Sequence, residues 1–209
     1  MKESPIWYQL LWGLTFIVFK LLFRIRIEGK TNIPLQGGVI LASNHRSYLD
    51  PIVLGLLTQR KINFLAKEEL FRNPVFGYFI SKLGAFPIKR QHLKKKSYLR
   101  AVQLLKDGKI LALFPEGTRM NSPQLGFFHK GALKISYETK VPVIPVFIKG
   151  TDRALPPHKE MIRLARIEAR AGVPLNKHLQ ETRLNKRQEI NNLSKALENK
   201  LRELGKLSS

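Results

Sequence analysis

Apolar positions along the chain follow two different rhythms. From Pro5 to Phe23 the sequence reads PIWYQLLWGLTFIVFKLLF, with Lys20 as its only charge. As a helix this stretch would reach about 28 Å, barely a bilayer core. Trp7, Tyr8 and Trp12 lie towards one end, and Lys20, Arg24, Arg26 and Lys30 at or beyond the other. Aromatic rings prefer the headgroup zone and cations the anionic cytoplasmic leaflet. A buried core helix of so small a domain seldom stays apolar around its whole circumference. Lys2 is offset by Glu3 and no small-residue cleavage site follows, which argues against a secretory signal. Residues 1–24 are therefore expected to form a membrane anchor, lying in the interface or spanning once, on the cytoplasmic face of the membrane.

From Arg24 onward, short apolar runs alternate with helical periodicity. Strands are expected at Arg24 to Ile27, Val39 to Ser43, Ile62 to Ala66, Ala85 to Ile88, Lys109 to Phe114, Val143 to Ile148 and Leu164 to Ala171. Between them, Asp50-Pro51 signals a helix start, with Asp50 as N-cap and the helix running to about Leu57. Further helices are expected over Glu68 to Leu83, Leu93 to Lys106 and Lys130 to Thr139. A last one carries Ile190, Leu193, Leu197, Leu201 and Leu204 at helical spacing. The prolines in VPVIPV, Val141 to Val146, point to an edge strand or a bulge. There is no internal repeat. Residues 25–209 thus form a single α/β domain, a largely parallel mixed sheet flanked by helices.

Charge narrows the partners. The chain holds 37 Lys plus Arg against 15 Asp plus Glu, a formal +22. Such a field favours an anionic membrane surface, a phosphate-bearing small molecule or nucleic acid. A basic nucleic-acid-binding protein accounts for the charge but leaves the apolar N-terminus unexplained, so no nucleic acid is expected. With no cysteine, disulfides, thiolate metal ligands and a cysteine nucleophile are all excluded.

Three strand ends carry chemistry-bearing turns, and in a parallel sheet these ends share one edge, where ligands collect. The first is NHRSYLD, Asn44 to Asp50. On a regular helix His45 and Asp50 would lie about 140° apart. Across a turn, the Asp50 carboxylate can reach an imidazole N–H, fix the tautomer and leave the other ring nitrogen as a base. Each residue alone is ordinary, Asp before Pro being usually a cap; their placement at a strand end makes them candidates. The second turn is GAFPIKR, ending in Arg90, whose guanidinium suits a phosphate. The third is FPEGTR, Phe114 to Arg119, where a buried strand delivers Glu116 and Arg119 into a turn; they are either functional or paired with each other. No nucleophile elbow, Walker-type loop, dinucleotide signature or paired-His metal helix is present. A base without a side-chain nucleophile implies that the substrate supplies the nucleophile.

At these residues the sequence resembles the glycerolipid acyltransferase family, the 1-acyl-glycerol-3-phosphate acyltransferases. The family's His-x4-Asp motif matches His45 and Asp50, its second block matches Gly84 to Arg90, its Phe-Pro-Glu-Gly-Thr-Arg block matches Phe114 to Arg119 in full, and its apolar-Pro block matches Val141 to Val146. The four blocks occur in order from about Gly37 to Gly150, and Gly172-Val173-Pro174-Leu175 looks similar to the family's closing motif. The resemblance implies that His45 deprotonates the acceptor hydroxyl and Asp50 orients it. It also implies that Arg90 and the block Glu116, Gly117, Thr118 and Arg119 hold the acceptor, with Lys67 as a further phosphate contact. The expected reaction moves a fatty acyl group from an acyl-CoA or acyl carrier protein thioester to the free hydroxyl of lysophosphatidic acid, giving phosphatidic acid. No metal and no cofactor beyond the thioester co-substrate is expected. Another lysophospholipid, or glycerol-3-phosphate, is the alternative acceptor; a non-catalytic membrane-binding module is a rival of another class.

Overall fold

The computed structural model describes residues 4–88, 95–120, 122, 124–157, 159, 161–175 and 185–207. Among these, seven strands form one sheet: β1 (Arg26–Glu28), β2 (Val39–Ser43), β3 (Ile62–Lys67), β4 (Ala85–Ile88), β5 (Ile110–Leu113), β6 (Val143–Lys149) and β7 (Glu168–Ala171). Their spatial order is β1-β7-β6-β2-β5-β3-β4. β2 to β6 run parallel, while β7 pairs antiparallel with β6 and carries β1 parallel to itself. The largely parallel mixed sheet expected from the alternation of elements is what forms.

Strand alternation divides the core in two. On one face Val39, Leu41, Ile110, Ile144 and Ile148 meet Phe19 and Phe23 of helix α1 (Ile6–Phe23) and Val53 and Leu54 of α2 (Asp50–Gly55). On the other, Ile40, Leu111, Val143 and Phe147 meet three helices, α4 (Lys95–Lys106), α5 (Gly131–Thr139) and α7 (Lys186–Lys206). The leucines expected on one stripe of α7, Leu193, Leu197, Leu201 and Leu204, are its buried residues. Asn185 and Gln188 close a reciprocal capping box at its start.

Three expectations are corrected. The helix over Glu68 to Leu83 is two pieces, a 3-10 turn Glu68–Phe71 and α3 (Pro74–Lys82). The side chain of Asn73 accepts from the Phe76 N–H and Pro74 opens the new helix, a start signal inside the apolar run. The strand from Leu164 is shorter, because the preceding backbone is bonded elsewhere: Arg163 N–H to Ala154 O at 2.7 Å and Ile167 N–H to Phe23 O at 3.0 Å. β6 is an interior strand despite its prolines. Pro145 faces the β7 side, where its carbonyl accepts from Gly172 N–H at 2.8 Å, and β7 has already ended at Ala171. Its missing N–H thus falls opposite Gly172, one residue past β7, and leaves the ladder to β2 intact.

Helix α1 is docked along one side. Tyr8, Phe19 and Phe23 are buried, Trp12 and Phe16 pack against the core, and Trp12 Nε1 donates to Gly55 O at 3.0 Å. The opposite side leaves Ile6, Leu10, Leu14, Ile17 and Leu21 exposed at spacings of three and four. By length and composition α1 is apolar enough to cross a membrane, and its bare face marks the chain as membrane-associating.

Two glycines test the packing. A Cβ at Gly38 would lie 2.2 Å from Leu105 O, whereas one at Gly55 meets nothing within 4 Å. Gly38→Ala should cost at least about 2 kcal/mol by forcing β2 away from α4. Gly55→Ala should gain about 0.5 kcal/mol by restricting the unfolded chain. Urea unfolding of both variants checks the contrast; equal midpoints would contradict this packing.

Candidate active site

The β2, β3 and β5 turns all lie at the carboxyl edge of the sheet. β2 ends at Ser43, and the next residue continues the ladder with its side chain. Asn44 Nδ2 donates to Ile148 O at 2.8 Å, and Ile148 N–H donates to Asn44 Oδ1 at 2.7 Å. The chain then turns, and His45 Nδ1 lies 2.9 Å from Asp50 Oδ2. Arg46 N–H and Ser47 N–H donate to the same oxygen at 2.6 and 2.7 Å. Asp50 is wholly buried, and its Oδ1 has no partner. It does not cap α2 as its place before Pro51 implies: it lies inside the first turn, and its carboxylate reaches back into the loop. The His–Asp contact across a turn, anticipated from the five-residue offset, is present.

Neighbouring contacts fix the imidazole further. Its ring stacks on Phe114 with centroids 3.9 Å apart and planes at 18°. Ser47 Oγ donates to Leu155 O at 2.8 Å, tying the turn to the segment after α6 (Thr151–Ala154). Met120 N–H donates to His45 O at 2.8 Å, and His45 N–H donates to Glu116 Oε2 at 2.9 Å. The loops after β2 and β5 are thus bonded to each other on both sides of His45. With Nδ1 facing Asp50, the ring's second nitrogen, Nε2, is left for a reacting proton.

Glu116 and Arg119, adjacent in the FPEGTR turn, have separate partners rather than each other. Glu116 is buried and accepts from His45 N–H and, at 3.1 Å, from Gly126 N–H. Burial pushes its carboxyl above the ordinary glutamate range; the two backbone donors and the nearby His45 and Arg46 oppose that shift. Gly117 follows at φ +67°, where a Cβ would come within 3.0 Å of His129 Cδ2. Arg119 Nη2 donates to Tyr48 Oη at 2.8 Å, its Cζ lies 3.5 Å over the Tyr48 ring, and its buried Nη1 has no partner among the described residues. Thr118 lies exposed between them. Lys67 ends β3 at the same edge. Arg90 lies outside the described residues.

Asn44 and Tyr48 were not singled out from the sequence. Asn44, a polar residue joined to an apolar strand, carried a usable signal. Tyr48 carried none, because its partner lies 71 positions away. Among the described residues no group of three or more His, Cys, Asp or Glu is placed to hold a metal.

An imidazole held by a buried carboxylate beside an arginine-bearing turn is an arrangement that a group-transfer enzyme can use. The chain belongs to the acyltransferase family, whose model of that description matches residues 24–149. It is 30% identical over 195 residues to a 1-acyl-sn-glycerol-3-phosphate acyltransferase of Bacillus subtilis, covering 90% of this chain and 95% of that one. It is 35% identical to a chloroplastic 1-acyl-sn-glycerol-3-phosphate acyltransferase of Arabidopsis thaliana over 67% of this chain and 40% of that protein. The crystal structure of the 1-acyl-sn-glycerophosphate acyltransferase PlsC from Thermotoga maritima superposes with a TM-score of 0.76 at 26% identity, covering 94% of this chain and 79% of that one.

Glu116 generates a pH prediction. Its folded pKa lies above the unfolded one, so the stability it contributes is full at low pH and declines as pH rises through the elevated value. Relative to Glu116→Gln, the wild-type advantage in denaturant midpoint should shrink as pH is raised above the ordinary glutamate range. An advantage that grows as pH is raised would contradict the burial of this carboxylate.

Proposed function

We propose that the chain acylates the free hydroxyl of lysophosphatidic acid to give phosphatidic acid. The observation that carries this reading is the His45–Asp50 contact at the sheet edge, with Nε2 left for the acceptor hydroxyl. The named activities of the similar proteins from Bacillus subtilis and Thermotoga maritima support it.

In this mechanism the acceptor hydroxyl attacks the thioester carbonyl directly, so no acyl-enzyme forms. His45 Nε2 takes the hydroxyl proton as the new C–O bond forms. When the tetrahedral intermediate collapses the C–S bond breaks, and the proton passes from His45 to the departing thiolate. Asp50 holds the ring in one tautomer and stabilises the imidazolium. Arg119 receives the acceptor phosphate; its buried, unpartnered Nη1 is the donor that most needs an anion. Gly117 and Thr118 shape and line the same turn, Glu116 braces it against His45, and Lys67 and Arg90 are assigned to the same phosphate. The donor is an acyl-CoA or acyl carrier protein thioester, and the site works from the cytoplasmic face, with residues 1–24 as anchor and 25–209 as the catalytic domain. General-base assistance supplies about 10²–10⁴-fold, and positioning much of the rest.

His45→Ala should therefore abolish acyl transfer to lysophosphatidic acid in vesicles, with folding preserved, and Asp50→Asn should lower kcat by at least about 100-fold. Undiminished transfer by a folded His45→Ala protein would overturn the mechanism. Tyr48→Ala, which frees the Arg119 guanidinium, should raise KM for the acceptor by about tenfold with a smaller change in kcat, and Tyr48→Phe should recover part of that loss. A kcat effect alone, with KM unmoved, would remove Tyr48 from acceptor binding.

A further inference from the structure

One cation-rich groove has no part in this mechanism. It lies between the C-terminal half of α1, the start of β1 and the segment 164–166, and encloses about 730 Å³. Lys20, Arg24, Arg26, Lys30 and Arg166 line it, and no acidic residue does. Arg26 and Arg166 pair with Glu28 and Glu168 beyond the lining, at 2.7 and 3.1 Å. Lys20 and Arg24 have no acidic partner among the described residues. Phe16 and Leu164 contribute apolar lining.

Three further observations bear on what the groove takes. Arg24 sits at the end of α1 in the left-handed conformation, φ +46°. Glycine is the unstrained residue there, so a cation is held at this point against a backbone preference. Bare apolar side chains also line the groove: Leu21 of α1 and Leu164 are 74% and 77% exposed. Finally, the groove shares the sheet edge of the active site without being part of it. β1 stands three strands from β2 in the sheet order, about 14 Å at the usual strand spacing. The phosphate and hydroxyl of one glycerophosphate are separated by only a few bonds, so a phosphate held here cannot present its own hydroxyl to His45.

Cations around an apolar floor match an amphiphile with an anionic head: guanidinium and ammonium groups take the phosphate while the chain covers the apolar side. A free phosphate would leave that floor in water. We infer that this groove seats one intact anionic phospholipid of the host bilayer, separate from the reacting acceptor, and that the seated lipid docks the carboxyl edge of the sheet against the membrane surface. Because the seat depends on the lipid-acyltransfer reading only for its context, it is tested by binding, and the two fail separately.

The test uses the full chain with dihexanoyl phosphatidylglycerol, kept monomeric below its micellar concentration, and dihexanoyl phosphatidylcholine as the neutral probe. Calorimetry should show saturable binding of the anionic lipid and at least about tenfold weaker binding of the neutral one. Lys20→Ala/Arg24→Ala should lose at least about tenfold in affinity for phosphatidylglycerol. Arg187→Ala/Lys195→Ala, which removes the same charge from exposed positions on α7 across the sheet, should bind as wild type. His45→Ala should also bind as wild type while failing to transfer an acyl group. Equal binding of the two lipids, equal loss in the α7 variant, or full displacement by inorganic phosphate would each overturn the seat. Loss of binding in folded His45→Ala would merge it with the acceptor site and overturn it too.

Discussion

The active site depends on one carboxylate oxygen. Oδ2 of Asp50 meets the His45 ring and two backbone N–H groups at once, while Oδ1 stays buried and bare. A wholly buried carboxylate is costly unless donors gather around it. Here that requirement shapes the chain: the turn from His45 to Asp50 closes tightly enough to bring both N–H groups onto one atom. The imidazole is held by the geometry the acid imposes on the backbone as much as by its own contact. The rest of the site follows, since the loops after β2 and β5 are bonded through the two backbone groups of His45.

The sheet places this constraint where it can be used. Parallel strands bring the β2, β3 and β5 turns to one edge, and α1 lies against the same body with its other side bare. A helix apolar all round commonly marks a buried or spanning segment. In this protein half of its circumference is consumed by packing on Gly55 and the core, through Trp12, Phe16, Phe19 and Phe23. The remaining half stays bare, and at its C-terminal end Leu21 and Leu22 line a groove together with Leu164.

Much of this was legible because it rests on local rules. Runs such as VILAS and KILALF announce buried strands by length and composition, and the His–Asp offset excludes a helical pairing on geometry alone. What escaped the sequence involved partners remote along the chain. The interior position of β6 turned on its pairing with β7, a strand whose late start is set by the backbone bonds of Arg163 and Ile167 to other elements. The separate fates of Glu116 and Arg119 turned on two donors and a tyrosine from other loops. Asp50 broke a strong local rule, the cap before proline, because a half-buried imidazole and two N–H groups compete better for its carboxylate than the start of a short helix does.

The pairing of β1 with β7 has a consequence for biosynthesis. β1 follows α1 directly, yet its ladder partner is the last strand of the sheet to be synthesised. As the polypeptide emerges from the ribosome, β1 therefore precedes its ladder partner by nearly the whole domain, and closing so long a loop adds an entropic cost to the late step. The helix α1 before it meets Gly55 and the core of β2 and α2 early, whereas β1, an edge strand, is fixed only once β7 has been made.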